Sequence, residues 1–254
     1  MTERPRRTAW IRRFHTAAPD APHVVLFPHG GAGATSFHPL SRALKPHVQA
    51  LVVQYPGRQD RIAEPCVADV GELADRVAEE LEPWADLPLV LFGHSLGSAV
   101  AFETAVRLER RGTTVRALFA SARRAPSLPL DGAPPSLDTD AELLGILKQL
   151  GGDSAPQIPD DPAFLELVLP AVRNDFHASN RYRAPAGLRL TCPVTGLAGE
   201  EDPAVAVSEV GAWAGHTTGP FRLLTFPGGH FYLDDRLERI REEITRAAVR
   251  RNPP

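Results

Sequence analysis

The residues in this chain best suited to chemistry are Gly93-His94-Ser95-Leu96-Gly97. A serine with a glycine two positions away on either side, set between a strand and a helix, forms a nucleophile elbow. The apolar run Pro88-Leu89-Val90-Leu91-Phe92 precedes it, and a stretch with helical periodicity, 96–111, follows. The glycines have a physical role. The turn is so tight that a β-carbon at either position would collide with neighbouring backbone. Ser95 is thereby held at the tip of a sheet, over the positive end of a helix, where a negatively charged tetrahedral intermediate gains stabilisation. His94 beside it reads as a packed histidine, because one residue from the tip its side chain points away from that of Ser95.

A serine hydroxyl is a poor nucleophile at neutral pH; it needs a base, and the base needs an orienting partner. Behind an elbow of this type the chain order is serine, acid, histidine. Of nine histidines, only His177, His216 and His230 follow Ser95. His230, in Phe226-Pro227-Gly228-Gly229-His230-Phe231, comes straight after the last strand run and is the expected base. His177 reads as a side chain of a helical insertion and His216 as a surface loop residue. The acid is expected after the preceding strand, in Gly199-Glu200-Glu201-Asp202-Pro203. Asp202 is preferred over Glu200 and Glu201, with Asp175 an outside candidate. Because Pro203 reads as the opening of a helix, Asp202 is also expected to serve as its N-cap. The oxyanion needs two backbone N–H donors. Leu96 supplies one; Gly30, with Gly31 as the alternative, supplies the other from Pro28-His29-Gly30-Gly31-Ala32-Gly33. No nucleotide signature accompanies that glycine loop, so no cofactor is expected.

These residues need a scaffold. Near-continuous apolar runs at 23–28, 50–55, 88–92, 115–120, 191–198 and 221–226 read as strands of a parallel sheet covered on both faces. Helical patterns at 36–45, 70–84, 96–111, 204–215 and 234–250 alternate with them. The expected architecture is therefore α/β, a mostly parallel doubly wound sheet in one domain over 1–254. Residues 125–186 break the rhythm, with prolines at 126, 129, 134 and 135, then helical stretches at 140–150 and 162–182 around a loop at 151–161. An insertion there sits beside the C-terminal edge of the sheet, where ligands bind, and reads as a lid. Some 60 residues in two or three helices are too few to bury a core of their own.

Composition removes several classes of function. The net charge of −3 gives no nucleic-acid surface. No run approaches the ~18–20 apolar residues of a membrane span, and the basic start, Met1 to Arg7, leads into no apolar leader segment, so a cytoplasmic protein is expected. Cys66 and Cys192 make neither a disulfide framework nor a metal cluster. Nothing demands more than a monomer.

Several segments together resemble a known family. Phe27-Pro28-His29-Gly30-Gly31, Tyr55-Pro56-Gly57-Arg58, the elbow continuing to Ala101-Phe102-Glu103, Ser121-Ala122-Arg123-Arg124-Ala125-Pro126, Leu169-Pro170-Ala171-Val172-Arg173-Asn174-Asp175 and the His230 segment are similar to the type II thioesterases of polyketide and nonribosomal peptide assembly lines, which have the α/β-hydrolase fold. The resemblance covers nearly the whole chain. It implies an editing hydrolase that clears aberrant acyl groups from the phosphopantetheine arm of an acyl or peptidyl carrier protein through an acyl-Ser95 intermediate. Carrier domains are usually acidic where they dock, so Arg58, Arg61, Arg123 and Arg124 are possible docking residues, with solvated surface arginines or internal salt bridges as the alternative reading. The alternatives are a general carboxylesterase or acyltransferase on the same residues, or an inactive carrier-binding protein.

Overall fold

A computed structural model of the protein describes residues 9–129, 136–151 and 161–249. Met1 to Arg7, Pro134, Pro135, most of the loop expected at 151–161 and the last residue of the helix expected at 234–250 lie outside them.

Seven strands form one sheet in the order β1-β3-β2-β4-β5-β6-β7. They are β1 (Ile11–Arg12), β2 (His23–Phe27), β3 (Gln49–Val53), β4 (Leu89–His94), β5 (Val115–Ser121), β6 (Val194–Gly199) and β7 (Phe221–Phe226). All neighbours pair in parallel except β1, which runs antiparallel to β3 with Ile11 opposite Val53. The sequence expectation missed β1, because two residues carry no periodicity. Alternation along the central strands divides the core into two layers. Val25, Leu51 and Leu91 face one layer, which holds α2 (Val70–Glu80) and α3 (Leu96–Arg110). Val24, Val52 and Phe92 face the other, which holds α1 (His38–Leu44) and α7 (Leu237–Val249). Sheet and helices together make the α/β-hydrolase architecture.

The insertion contributes α4 (Asp140–Gly151) and α5 (Pro162–Arg181). Proline at the first position of α5 and the Asp161 carboxylate, which accepts from the Ala163 N–H at 2.9 Å, fix where that helix begins. Leu137, Leu143, Leu169 and Val172 form a small apolar cluster of the insertion's own.

Two expectations change. The run at 191–198 becomes a strand only from Val194, after Pro193; the N–H groups of Thr191 and Cys192 turn aside to the Glu109 carboxylate. The helix expected at 204–215 is a single α-turn, α6 (Val207–Gly211), continued as a 3-10 turn, Ala212–His216. β7 also differs in character: it is the sheet's edge, and Arg222, Leu223 and Thr225 are exposed.

Candidate active site

The elbow forms where the glycines demand it. Ser95 adopts φ 53°, ψ −120°, a conformation costly for a side-chain-bearing residue, between β4 and α3. A β-carbon on Gly93 would stand 2.2 Å from the carbonyl oxygen of Gly97, and one on Gly97 2.0 Å from that of Phe27. Neither neighbour is a side chain that could swing away. The Ser95 N–H donates to the Ser121 carbonyl at 2.8 Å, tying the elbow to the end of β5.

His230 follows β7, and its Nδ1 lies 2.8 Å from Asp202 Oδ2. The Asp202 side chain is 1% exposed and that of His230 4%. A carboxylate can only accept, so the shared proton sits on Nδ1, and Nε2 is left as the basic nitrogen. The other oxygen of Asp202 accepts from the Ala204 N–H at 2.9 Å. That bond closes a local turn rather than capping a helix: α6 begins only at Val207, and its first turn is served by Glu209, which accepts from the Ala206 N–H. Of the other acids considered, Glu200 accepts from Thr225 on the exposed rim, and Glu201 is exposed. Ser95, Leu96, His230, Gly30 and Gly31 all line one cavity of about 600 Å³ beneath α4 and α5, a size suited to a small-molecule site.

Beneath the elbow lies a buried polar layer. His94 Nδ1 is 2.8 Å from Ser121 Oγ, which is 2.6 Å from the Tyr232 hydroxyl. The His94 ring lies 5.4 Å from that of His230 and 5.8 Å from that of Phe231. His94 is thus packed, as its place beside the tip suggests. Burial first, then His230 and His29, push its pKa well down, so it is a neutral ring. Burial, with His230 second, pushes His29 down to about 4.

Asp175 bonds to Arg58 and Gly31 rather than to His230, and so has a different use. Its carboxylate takes both ends of the Arg58 guanidinium, with Nη1 on Oδ2 and Nη2 at 3.1 Å from Oδ1. Its Oδ2 also accepts from the Gly31 N–H at 2.8 Å. Burial opposes the charge on Arg58, but Asp175 outweighs it and the guanidinium pKa rises. One α5 carboxylate therefore ties that helix to the Tyr55-Pro56-Gly57-Arg58 loop and to the glycine loop at once. Sequence reasoning did not pair these two residues, although each lies in a segment that carried the family resemblance.

The arginines considered for docking are mostly internal. Arg58 and Arg61 are buried, the latter over the Trp10 ring and on Glu64; Arg123 is buried against Ser179; Arg124 pairs with Glu209 at 3.8 Å. His216 is not a surface residue. It is 3% exposed, with Nε2 at 2.8 Å from Ser127 Oγ and Nδ1 at 2.9 Å from the Leu188 carbonyl. The polar sequence Gly215-His216-Thr217-Thr218-Gly219 disguised a ring packed on Phe102 and Trp213. His177 lies on α5, half-buried. Among the described residues no cluster of histidine, cysteine or acidic side chains could hold a metal, and no helix is long and apolar enough to cross a membrane.

Comparison with known proteins identifies the family. A family model described as a thioesterase domain matches residues 22–247. Thioesterase PikA5 of Streptomyces venezuelae is 47% identical over 250 residues, 96% of this chain and 88% of that protein. The probable cadicidin biosynthesis thioesterase of Streptomyces griseus is 45% identical over 238 residues, 94% of this chain; the match spans 65% of that relative's length. Among solved structures, the type II thioesterase BorB from the borrelidin biosynthetic cluster aligns with a TM-score of 0.88 at 43% identity, over 94% of this chain and 97% of BorB. With a family match over most of its length and relatives above 40% identity, the chain belongs to the thioesterase domain family.

Proposed function

We propose that the protein is a type II thioesterase that hydrolyses acyl thioesters on the phosphopantetheine arm of acyl or peptidyl carrier proteins, with Ser95, Asp202 and His230 as its catalytic residues. Ser95 Oγ attacks the thioester carbonyl carbon as its proton passes to His230 Nε2. The carbonyl electron pair moves to oxygen, where the N–H groups of Leu96 and Gly30 receive it. Leu96 is the first residue of α3, so its N–H has no carbonyl one turn earlier to bond. Gly30 is preferred to Gly31 because the Gly31 N–H is already given to Asp175. Each donor is worth about 3 kcal/mol in the transition state. Collapse breaks the carbon–sulfur bond, and the leaving thiolate takes the proton from His230. Water then attacks the acyl-Ser95 carbonyl, again giving its proton to His230. The second collapse returns that proton to Ser95 Oγ and releases the carboxylic acid.

The observation that carries this reading is the 2.8 Å Asp202–His230 pair, closed off from solvent, with His230 and Ser95 lining one cavity roofed by the insertion. Apolar side chains of that roof, including Leu147, Leu165 and Val168, supply a chamber for an acyl chain, and the insertion acts as its lid. The biosynthetic settings in the names of two relatives, cadicidin biosynthesis and the borrelidin cluster, support a carrier-bound substrate, and a cytoplasmic setting belongs to the same proposal. The test is hydrolysis of an acyl-carrier thioester against a matched oxygen ester by the protein and by Ser95→Ala. The expected result is a strong preference for the carrier thioester and at least a ~10³-fold loss of turnover in a folded Ser95→Ala protein. Unchanged turnover in that variant overturns the mechanism, and equal rates on the oxygen ester favour a general esterase.

A further inference from the structure

We infer that the cavity holds a subsite for an anionic oxygen group, a carboxylate or a phosphate, built by Arg123 and Arg183 at the C-terminal end of α5; the inference rests on the functional reading above. Arg123 is 9% exposed, and among the described residues no carboxylate lies within ion-pairing distance of it. Its guanidinium spends two of five donors on Ser179, through Nη1 on Oγ and Nη2 on the carbonyl at 3.1 Å, while Nε has no partner. Ser179 is neutral, so the charge itself is left without an anion.

The neighbours add to the imbalance. Arg183 lines the same cavity, is exposed, and bonds only to the backbone carbonyls of Asn180 and Tyr182. Arg124 lines it too, with Glu209 as its partner at 3.8 Å. Among the described residues the one acid in the cavity wall, Asp175, is already matched by Arg58. Burial, then Arg124, lowers the Arg123 pKa to about 10, a sign of how unfavourable the uncompensated charge is. An unpaired buried cation is costly unless something arrives to pair with it. A guanidinium with free donors matches the planar oxygens of a carboxylate or phosphate.

Position along α5 says where that anion would lie. Asp175 faces the glycine loop; its β-carbon is 3.4 Å from the place a Gly30 β-carbon would occupy. Ser179 is one helical turn further on, about 6 Å along the axis. The apolar chamber around Leu165 lies the other way, about 21 Å from Ser179 along the same helix. Two sources of anion fit this end. One is a carboxylate carried by a short acyl group. The other is the phosphate of the pantetheine arm, approaching from the side opposite the acyl chain.

The experiment compares two matched substrate pairs in the protein, in Arg123→Gln and in Arg183→Gln. The first pair is succinyl against butyryl N-acetylcysteamine; the second is butyryl-phosphopantetheine against butyryl-pantetheine. The expected result is that one anionic/neutral ratio of kcat/KM falls by about tenfold in Arg123→Gln and about threefold in Arg183→Gln. A fall in the first ratio assigns an acyl carboxylate, and a fall in the second the arm's phosphate. Both ratios unchanged in both variants overturns the subsite. Thermal shift with millimolar succinate or phosphopantetheine reads the same site without turnover. A rise in Tm that is lost in Arg183→Gln supports the subsite even if none of the thioesters is hydrolysed, an outcome that would fail the functional reading alone. Arg183 is exposed, so its variant keeps the comparison valid if Arg123→Gln does not fold.

Discussion

Replacing Asp175 with asparagine isolates the buried clamp between α5 and the loops beside Ser95. Asparagine keeps the shape and one acceptor oxygen but removes the charge. The Asp175 and Arg58 side chains are 1% and 6% exposed, so Arg58 would be left as a desolvated cation with neutral partners only, the new amide and the Pro56 carbonyl. Removing one member of a buried pair typically costs about 3–5 kcal/mol. That is a large share of the roughly 5–15 kcal/mol that holds a domain folded. With a urea m-value of about 3 kcal/mol/M, the midpoint should fall by about 1–1.7 M. Far-UV circular dichroism against urea measures it, with the m-value as a check on two-state behaviour. The double variant Arg58→Met/Asp175→Leu should lose less than Asp175→Asn, because it leaves no orphan charge. Turnover of the folded single variant should drop as well, since the Gly31 N–H and α5 lose a common anchor. A stability change below about 0.5 kcal/mol, or a double variant whose loss equals the sum of the singles, would refute the reasoning.

Three further outcomes follow from the site. Gly97→Ala would drive a methyl group to 2.0 Å from the Phe27 carbonyl oxygen, so soluble expression should fall and any purified protein should be inactive in thioester hydrolysis. Asp202→Asn keeps the turn bond to Ala204 but presents His230 with a partner that can also donate, so the imidazole loses its enforced tautomer; kcat should fall about 10³–10⁴-fold with little change in Tm. His29 is held near 4 in the folded protein against about 6.5 unfolded, so its neutral form favours folding; that stability is full above about pH 6.5 and is lost as pH falls towards 4. His29→Asn should therefore lose about 3 kcal/mol less between pH 7.5 and pH 4 than the parent protein, measured by denaturant unfolding at each pH.

The parts of the site that could be read from sequence are those where chemistry fixes local spacing. Gly93 and Gly97 announce themselves because backbone clearance admits nothing else. Asp202 and His230 follow from chain order and from the ends of strands, and the structure sets them 2.8 Å apart. What spacing cannot reveal is contact between distant segments. Arg58 and Asp175 are 117 residues apart, and each looks like an ordinary surface charge until the fold buries both. His216 misled in the opposite sense: its polar neighbours suggested solvent, while its ring bonds to Ser127 and Leu188 in the interior. The start of α6 was misplaced because an aspartate–proline pair signals a helix and a tight turn equally well, and Asp202 uses its second oxygen for the turn.

The two halves of α5 are held in unlike ways, and this separates two properties of the enzyme family that might be assumed to change together. From Val172 onward the helix is fastened: Asp175 to Arg58, Asn174 to the Val67 carbonyl, Ser179 to Arg123, and Tyr182, just past the helix, to Glu103. From Pro162 to Val168 it packs mainly on α4 in a cluster of its own, with Phe164 and Leu167 exposed. Substitutions in the loose half can reshape the chamber without disturbing the fastened half beside Ser95. If the cavity holds the acyl chain as proposed, a lineage can retune which chain lengths fit while the chemical step stays inherited, and a single-helix exchange, ending before Val172, should transfer preference between relatives.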